Sequence, residues 1–114
     1  MYSTILNILR YVAKKNRLDE ERIQKEALII RLLEENPDVR NKKDKAQQTI
    51  LIWAARLGNI KVVQYLISKE VNLDASTDTP GHTDHGKTAL HWAYSCGHYD
   101  IIYELLNAGA TDTG

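Results

Sequence analysis

The sequence predicts an all-α chain in which three helix pairs stack as a short solenoid, with no substantial sheet. Three observations predict it. Apolar residues recur at helical spacing through the first 35 residues. A helix–turn–helix pattern then occurs twice, at a fixed offset of 39 residues. Cys96 is the single cysteine of the 114 residues, so packing, not an intramolecular disulfide, must hold the chain together.

The first helix is predicted over residues 3–15. Tyr2, Ile5, Leu6, Leu9, Val12 and Ala13 share one side, and Ser3 can cap its start. A second helix is predicted from Asp19 to Glu35. Asp19, Glu20 and Glu21 put negative charge at its start, where the helix dipole is positive. Leu18 and Ile23 can form a hydrophobic staple there. Ile23, Ala27, Ile30 and Leu33 are the expected buried stripe. Asn36 and Pro37 end the helix, because Asn tolerates the left-handed turn and Pro cannot continue. Residues 40–48 read as a polar connector.

The repeat then begins. Residues 49–67 align with residues 88–106, and Thr49/Thr88, Leu51/Leu90, Trp53/Trp92, Ala54/Ala93, Gly58/Gly97 and Leu66/Leu105 coincide. Each unit reads as a short helix, a tight turn at Gly and a second helix. Such units bury their apolar faces on their neighbours. The second unit runs Gly86-Lys-Thr88-Ala-Leu90-His91-Trp-Ala93-Tyr-Ser-Cys-Gly97-His98, followed by Ile101-Ile102, Leu105-Leu106 and Gly109-Ala110. This pattern resembles the ankyrin repeat, with Ala89 in place of Pro and Tyr94 in place of Ala. The first unit departs further: Ile50 and Ile52 stand where Pro and His are usual, Asn59 replaces His, and Glu70 replaces the turn Gly. The stretch 29–39 resembles the end of another repeat, which makes residues 1–40 a divergent capping pair.

Physical chemistry supports the resemblance. Thr88 can cap its helix while His91 folds back on it. Ala54 and Ala93 let the helices of each pair approach closely. Gly58 and Gly97 take the position that favours positive φ. The expected organisation is one domain: a capping helix pair over 1–40, a repeat over 41–75, an inserted loop over 76–85 and a repeat over 86–114. The offset exceeds the usual 33 or so residues, and the excess falls in 76–85. An enlarged finger on the binding face and a tolerated surface insertion both fit, since loop-closure entropy grows slowly with length.

Composition excludes several classes. Fifteen basic residues balance fifteen acidic ones, which argues against a dedicated nucleic-acid binder. Residues 1–45 hold 11 basic and 8 acidic residues, and the remainder 4 and 7. The longest apolar run, Ile50–Ala55, is too short to cross a bilayer. The acid-free residues 1–18 could serve as a presequence or membrane-surface helix, but the first helix of a cap explains them. The basic run 40–45 is better read as a connector than as a nuclear signal. The expected location is intracellular and cytoplasmic.

Gly81–Thr88 matches the nucleotide P-loop pattern letter for letter. Its context does not: Asp78-Thr79-Pro80 precedes it, no buried strand leads into it, and the ankyrin turn and cap account for Gly86–Thr88. His82, His85, His91, Cys96 and His98 cluster in sequence, but ankyrin-like positions explain His91 and His98. No metal, cofactor or catalytic group is expected, and Cys96 lacks an orienting acid or oxyanion donor.

Trp53 and Trp92 are in register on the first helix of each unit. They share a face with Arg56 and Leu57, and with Ser95 and Cys96. The ankyrin resemblance implies that this face lines the concave groove, and Trp and Arg lead interface hot spots. The expected function is a non-enzymatic protein-binding module. Its contact residues would be Trp53, Arg56, Leu57, Trp92 and Ser95, with Asp78, His82, Asp84 and His85 of the inserted loop. The partner is an unidentified protein, with neither nucleic acid nor membrane expected. The C-terminal unit lacks a polar cap, so the chain could also begin a longer protein whose activity lies elsewhere, or self-associate end to end.

Overall fold

A computed structural model of the chain describes residues 1–14, 19–77 and 86–111. These residues form six α-helices: α1 (Tyr2–Ala13), α2 (Asp19–Glu35), α3 (Ile50–Leu57), α4 (Ile60–Ser68), α5 (Ala89–Cys96) and α6 (Tyr99–Asn107). There is no strand among the described residues. The helices α1, α3 and α5 pack side by side as an inner layer, and α2, α4 and α6 form an outer layer across from them. This is the three-pair stack expected from the repeat.

The two repeats share their punctuation. Thr49 Oγ1 caps α3 by accepting from Ile52 N, and Thr88 Oγ1 caps α5 by accepting from His91 N. His91 Nδ1 returns the favour to Thr88 N, closing a full capping box. Ile52 occupies the matching place in α3, and its apolar side chain cannot close the box. Both first helices end on a left-handed glycine, Gly58 at φ 80° and Gly97 at φ 72°. Asn59 starts α4 by accepting from Val62 N. His98, in the corresponding place, instead directs Nε2 back to the Arg56 carbonyl at 3.2 Å.

Ala54 and Ala93 are fully buried, which lets the helix pairs close on each other. Ile5, Leu9, Ile29, Leu33, Leu51, Leu66, Ile101 and Leu105 fill one continuous core through all three pairs. Asn41 Oδ1 accepts from Asn72 N, and Asp74 accepts from Thr111 N and Oγ1 at 2.8 and 2.9 Å, so each turn region is tied to the next. On the outer face Glu34 accepts from Tyr65 and sits 3.1 Å from Lys69 Nζ. These bonds, the Tyr65 hydroxyl first and Lys69 second, hold the Glu34 carboxyl below its ordinary value.

Several expectations for the capping pair need correction. Met1, not Ser3, stands at the N-cap of α1, with no side-chain cap bond, and Ala13 is exposed. In α2 the buried residues are Ile29 and Leu33, with Leu32 partly buried beside them; Ile23 is 61% exposed and Ala27 is exposed as well. The run from Ala27 to Leu33 is apolar on nearly all sides, so periodicity alone does not set its phase, and packing on α1 and α4 does. Leu18 lies outside the described residues. Asn36 ends α2 at φ −130°, outside the left-handed region, and its Nδ2 donates to the Leu32 carbonyl at 2.8 Å. A 3-10 turn, Pro37–Val39, follows.

Glu70 occupies the turn position that Gly109 holds in the second repeat, and both have positive φ, 56° and 97°. A side chain with a Cβ is strained there. Glu70→Gly should therefore raise stability by about 0.5–1 kcal/mol, the relief exceeding the added entropy of the unfolded chain. Urea unfolding followed by circular dichroism measures it; a lower midpoint would contradict the assignment of strain.

Candidate functional site

The inner helices carry the candidate residues. The 39-residue register places Trp53 on α3 and Trp92 on α5 in line, with Arg56 one turn beyond Trp53. The Arg56 guanidinium lies over both rings, 4.3 Å from the Trp53 centroid and 4.2 Å from that of Trp92. Arg10 of α1 covers Trp53 at 4.7 Å, and the Lys87 ammonium covers Trp92 at 5.0 Å. The result is a ladder of alternating cations and indoles, Arg10–Trp53–Arg56–Trp92–Lys87, running across all three helix pairs. Each rung is worth roughly 0.5–2 kcal/mol, more where water is excluded.

Asp44 anchors one end. The connector expected at 40–48 is a built turn: Asp44 Oδ1 accepts from Ala46 N and Gln48 N, both at 2.9 Å. Its Oδ2 accepts from Trp53 Nε1 at 3.1 Å. The Tyr2 hydroxyl donates to the Gln48 carbonyl at 2.6 Å and lies 3.4 Å from the same Oδ2. Burial, reinforced by the Asp44 charge, pushes the Tyr2 phenol above its ordinary pKa. Gln48 Oε1 accepts from Arg56 Nη1 at 2.6 Å, fixing the central guanidinium. Between this turn and α1 lies an open recess of about 720 Å³, bordered by Arg10, Lys42, Lys43, Lys45 and Trp53.

The two indoles differ in one respect. Trp53 has its partner in Asp44, but Trp92 Nε1 is buried with no hydrogen-bond partner among the described residues. Trp92→Phe removes an unsatisfied donor and should change stability by less than about 1 kcal/mol. Trp53→Phe breaks a bond to a charged acceptor and should cost roughly 1–3 kcal/mol. Paired thermal melts test this, and equal losses would contradict it.

Of the expected contact residues, Trp53, Arg56 and Trp92 come together. Ser95 occupies the register position of Arg56 and is exposed. Leu57 is placed apart: it is half-buried and lines a separate recess of about 410 Å³ with Val12, Ala13 and Ile60. Asp78, His82, Asp84 and His85 lie outside the described residues. Thr77 and Lys87 pair at the base of that segment, Thr77 N donating to Lys87 O and Lys87 N to Thr77 Oγ1. Arg10 and Lys87 complete the ladder and Asp44 anchors it, and none of the three was among the candidates. The one signal for Asp44 was an acid set alone in the basic run 40–45; nothing in sequence ties Arg10 to residues some 40 positions away.

The P-loop-like segment has its last two residues in other employment. Thr88 is the cap of α5 and Lys87 sits over Trp92. Gly81–His85 lie outside the described residues. Among the described residues no three His, Cys, Asp or Glu side chains converge as a metal site, and no helix is long and apolar enough to cross a membrane.

A stack of helix pairs with aligned side chains on its inner face is a helical-repeat interaction scaffold. A family model described as ankyrin repeats (3 copies) matches residues 22–113. The chain belongs to the ankyrin-repeat family. Palmitoyltransferase ZDHHC17 of Rattus norvegicus is 40% identical over 79 residues, which are 69% of this chain and 12% of that protein. Putative palmitoyltransferase ZDHHC13 of Danio rerio is 37% identical over 79 residues, 69% of this chain and 11% of that protein. Ankyrin repeat domain-containing protein 40 of Mus musculus is 35% identical over 68 residues, 60% of this chain and 17% of that protein. The chain thus spans a small part of the length of these relatives.

Proposed function

We propose that this chain is a non-enzymatic protein-binding module that grips its partner on the inner helix face. The observation that carries the reading is the ladder itself. Trp and Arg dominate interface hot spots, and here they stand in a row with their side chains already positioned, so little ordering remains to be done on binding. Ankyrin repeats are a protein-interaction fold, which agrees. Ser95 extends the face at the Arg56 position of the second repeat; Asp78, His82, Asp84 and His85 of the inserted loop are proposed as further contacts. Leu57 is a proposed contact apart from the ladder, in its own recess beside Val12 and Ala13. The palmitoyltransferase activity in two relatives' names belongs to proteins of which this chain matches about a tenth, and we do not extend it to this chain.

The test pairs Arg56→Ala with Trp92→Ala. Partner capture should fall by tenfold or more, the usual effect of about 2 kcal/mol per hot spot. Circular dichroism should remain helical. Full capture by the folded double variant would remove the inner face as the binding site.

A further inference from the structure

The zero net charge conceals a sorted surface. The inner helices α1, α3 and α5 contain no Asp or Glu at all, and Arg10 and Arg56 are their only Lys or Arg residues. The outer helices α2, α4 and α6 contain eight Asp and Glu. Lys42, Lys43 and Lys45 extend the basic side along the rim of the recess. Asp44 is the one carboxylate among the residues bordering it, and its oxygens are already engaged by Ala46 N, Gln48 N and Trp53 Nε1. Arg10, Arg56 and Lys87 have no carboxylate partner among the described residues.

We propose that the groove takes an acidic peptide segment, whose carboxylates meet Arg10, Arg56 and Lys87 at the edges of the ladder. This rests on the reading of the inner face as a protein-binding site and names its partner's chemistry. A guanidinium lying over an indole uses its face and leaves edge N–H donors for a carboxylate. Such a stacked, pre-positioned cation loses little freedom on pairing. Single-stranded nucleic acid also offers negative charge, but it needs open aromatic faces for its bases. Here cations cover Trp53 on account of Arg10 and Arg56, and Trp92 on account of Arg56 and Lys87. An anionic bilayer is flat and would meet the exposed rim lysines, while Arg56 is half-buried between the rings. A narrow acidic chain suits the charge of the ladder and, at its Arg10 end, the recess rimmed by Lys42, Lys43 and Lys45.

The two Trp residues of the chain are both in the ladder, so tryptophan emission, excited selectively over the six tyrosines, reports on this face. The full chain is titrated with oligo-glutamate, oligo-lysine, oligo-thymidylate and phosphatidylserine vesicles, and used in parallel to select binders from a displayed random-peptide library. Oligo-glutamate should perturb the Trp emission and oligo-lysine should not. Selected peptides should be rich in Asp and Glu, and their binding should weaken about tenfold or more between low and high salt. Arg10→Gln with Lys87→Gln, both exposed positions, should weaken them similarly. Peptides that perturb the emission without acidic enrichment or salt dependence would overturn the acidic assignment and leave the groove intact as a protein site. Peptides that bind with unchanged emission and tolerate Arg56→Gln would overturn the groove reading itself. Preference for the thymidylate or the vesicles, or no binding by oligo-glutamate and no selected peptide, would also overturn the proposal.

Discussion

Gly58→Ala should lower stability by roughly 2–5 kcal/mol, while Gly97→Ala should cost only about 1–2 kcal/mol. Both glycines close an inner helix in the left-handed region, at φ 80° and 72°, so both variants bear the backbone strain. They differ in what a new methyl group would meet. At Gly97 nothing lies within 4 Å. At Gly58 the added Cβ would sit 2.7 Å from Cε1 of the His98 ring. That ring is held in place by its own bond to the Arg56 carbonyl, so it cannot swing aside without losing a hydrogen bond. Urea unfolding of the two variants gives the comparison. Adding His98→Ala to each isolates the clash: it should bring the cost of Gly58→Ala down to that of Gly97→Ala. Equal costs in the native background would show that the ring moves freely.

Asp44→Ala should cost about 2–4 kcal/mol, an unusual penalty for a residue in a polar surface turn. The carboxylate accepts from two backbone amides of its own turn and from the Trp53 indole. Its removal leaves those donors without their acceptor and frees the turn from α3. Asp44→Asn should not rescue it fully. If the Asn oxygen keeps the two amides, its NH2 faces the Trp53 N–H, and two donors oppose each other. The expected order in thermal melts is wild type, then Asn, then Ala. Trp fluorescence should shift in both variants as the indole loses its charged partner. An Asn variant as stable as wild type would show that the indole bond contributes nothing.

The repeats were legible because their signals are local. Thr49 and Thr88 cap, Gly58 and Gly97 turn, and Ala54 and Ala93 permit close packing; each role depends on a residue's own chemistry and a few neighbours. The capping pair was less legible. Its run from Ala27 to Leu33 is apolar but for Arg31, which fixes the phase only loosely, so of the expected stripe Ile23, Ala27, Ile30 and Leu33 only Leu33 is fully buried, with Ile29 beside it. The candidate site divides the same way. Trp53, Arg56 and Trp92 follow from register within the repeat. Arg10, Asp44 and Lys87 come from the cap, a connector and a loop base, and only tertiary packing brings them to the indoles. Leu57 shares a helix with Trp53 but sits one turn further on, where that helix meets the next turn, so its neighbours are different ones.

Arg56 also has a meaning for how the stack comes apart. Its carbonyl is held by His98 and its side chain by Trp92, both from the following repeat, while Trp53 is covered by Arg10 from the preceding pair. In a linear array the cost of melting one unit is set by its own stability and by the coupling at each junction. The proposed binding face is here made of the junctions themselves. Fraying of either terminal unit would therefore dismantle that face, and a molecule bound across it would act as a brace that raises the cooperativity of the whole array.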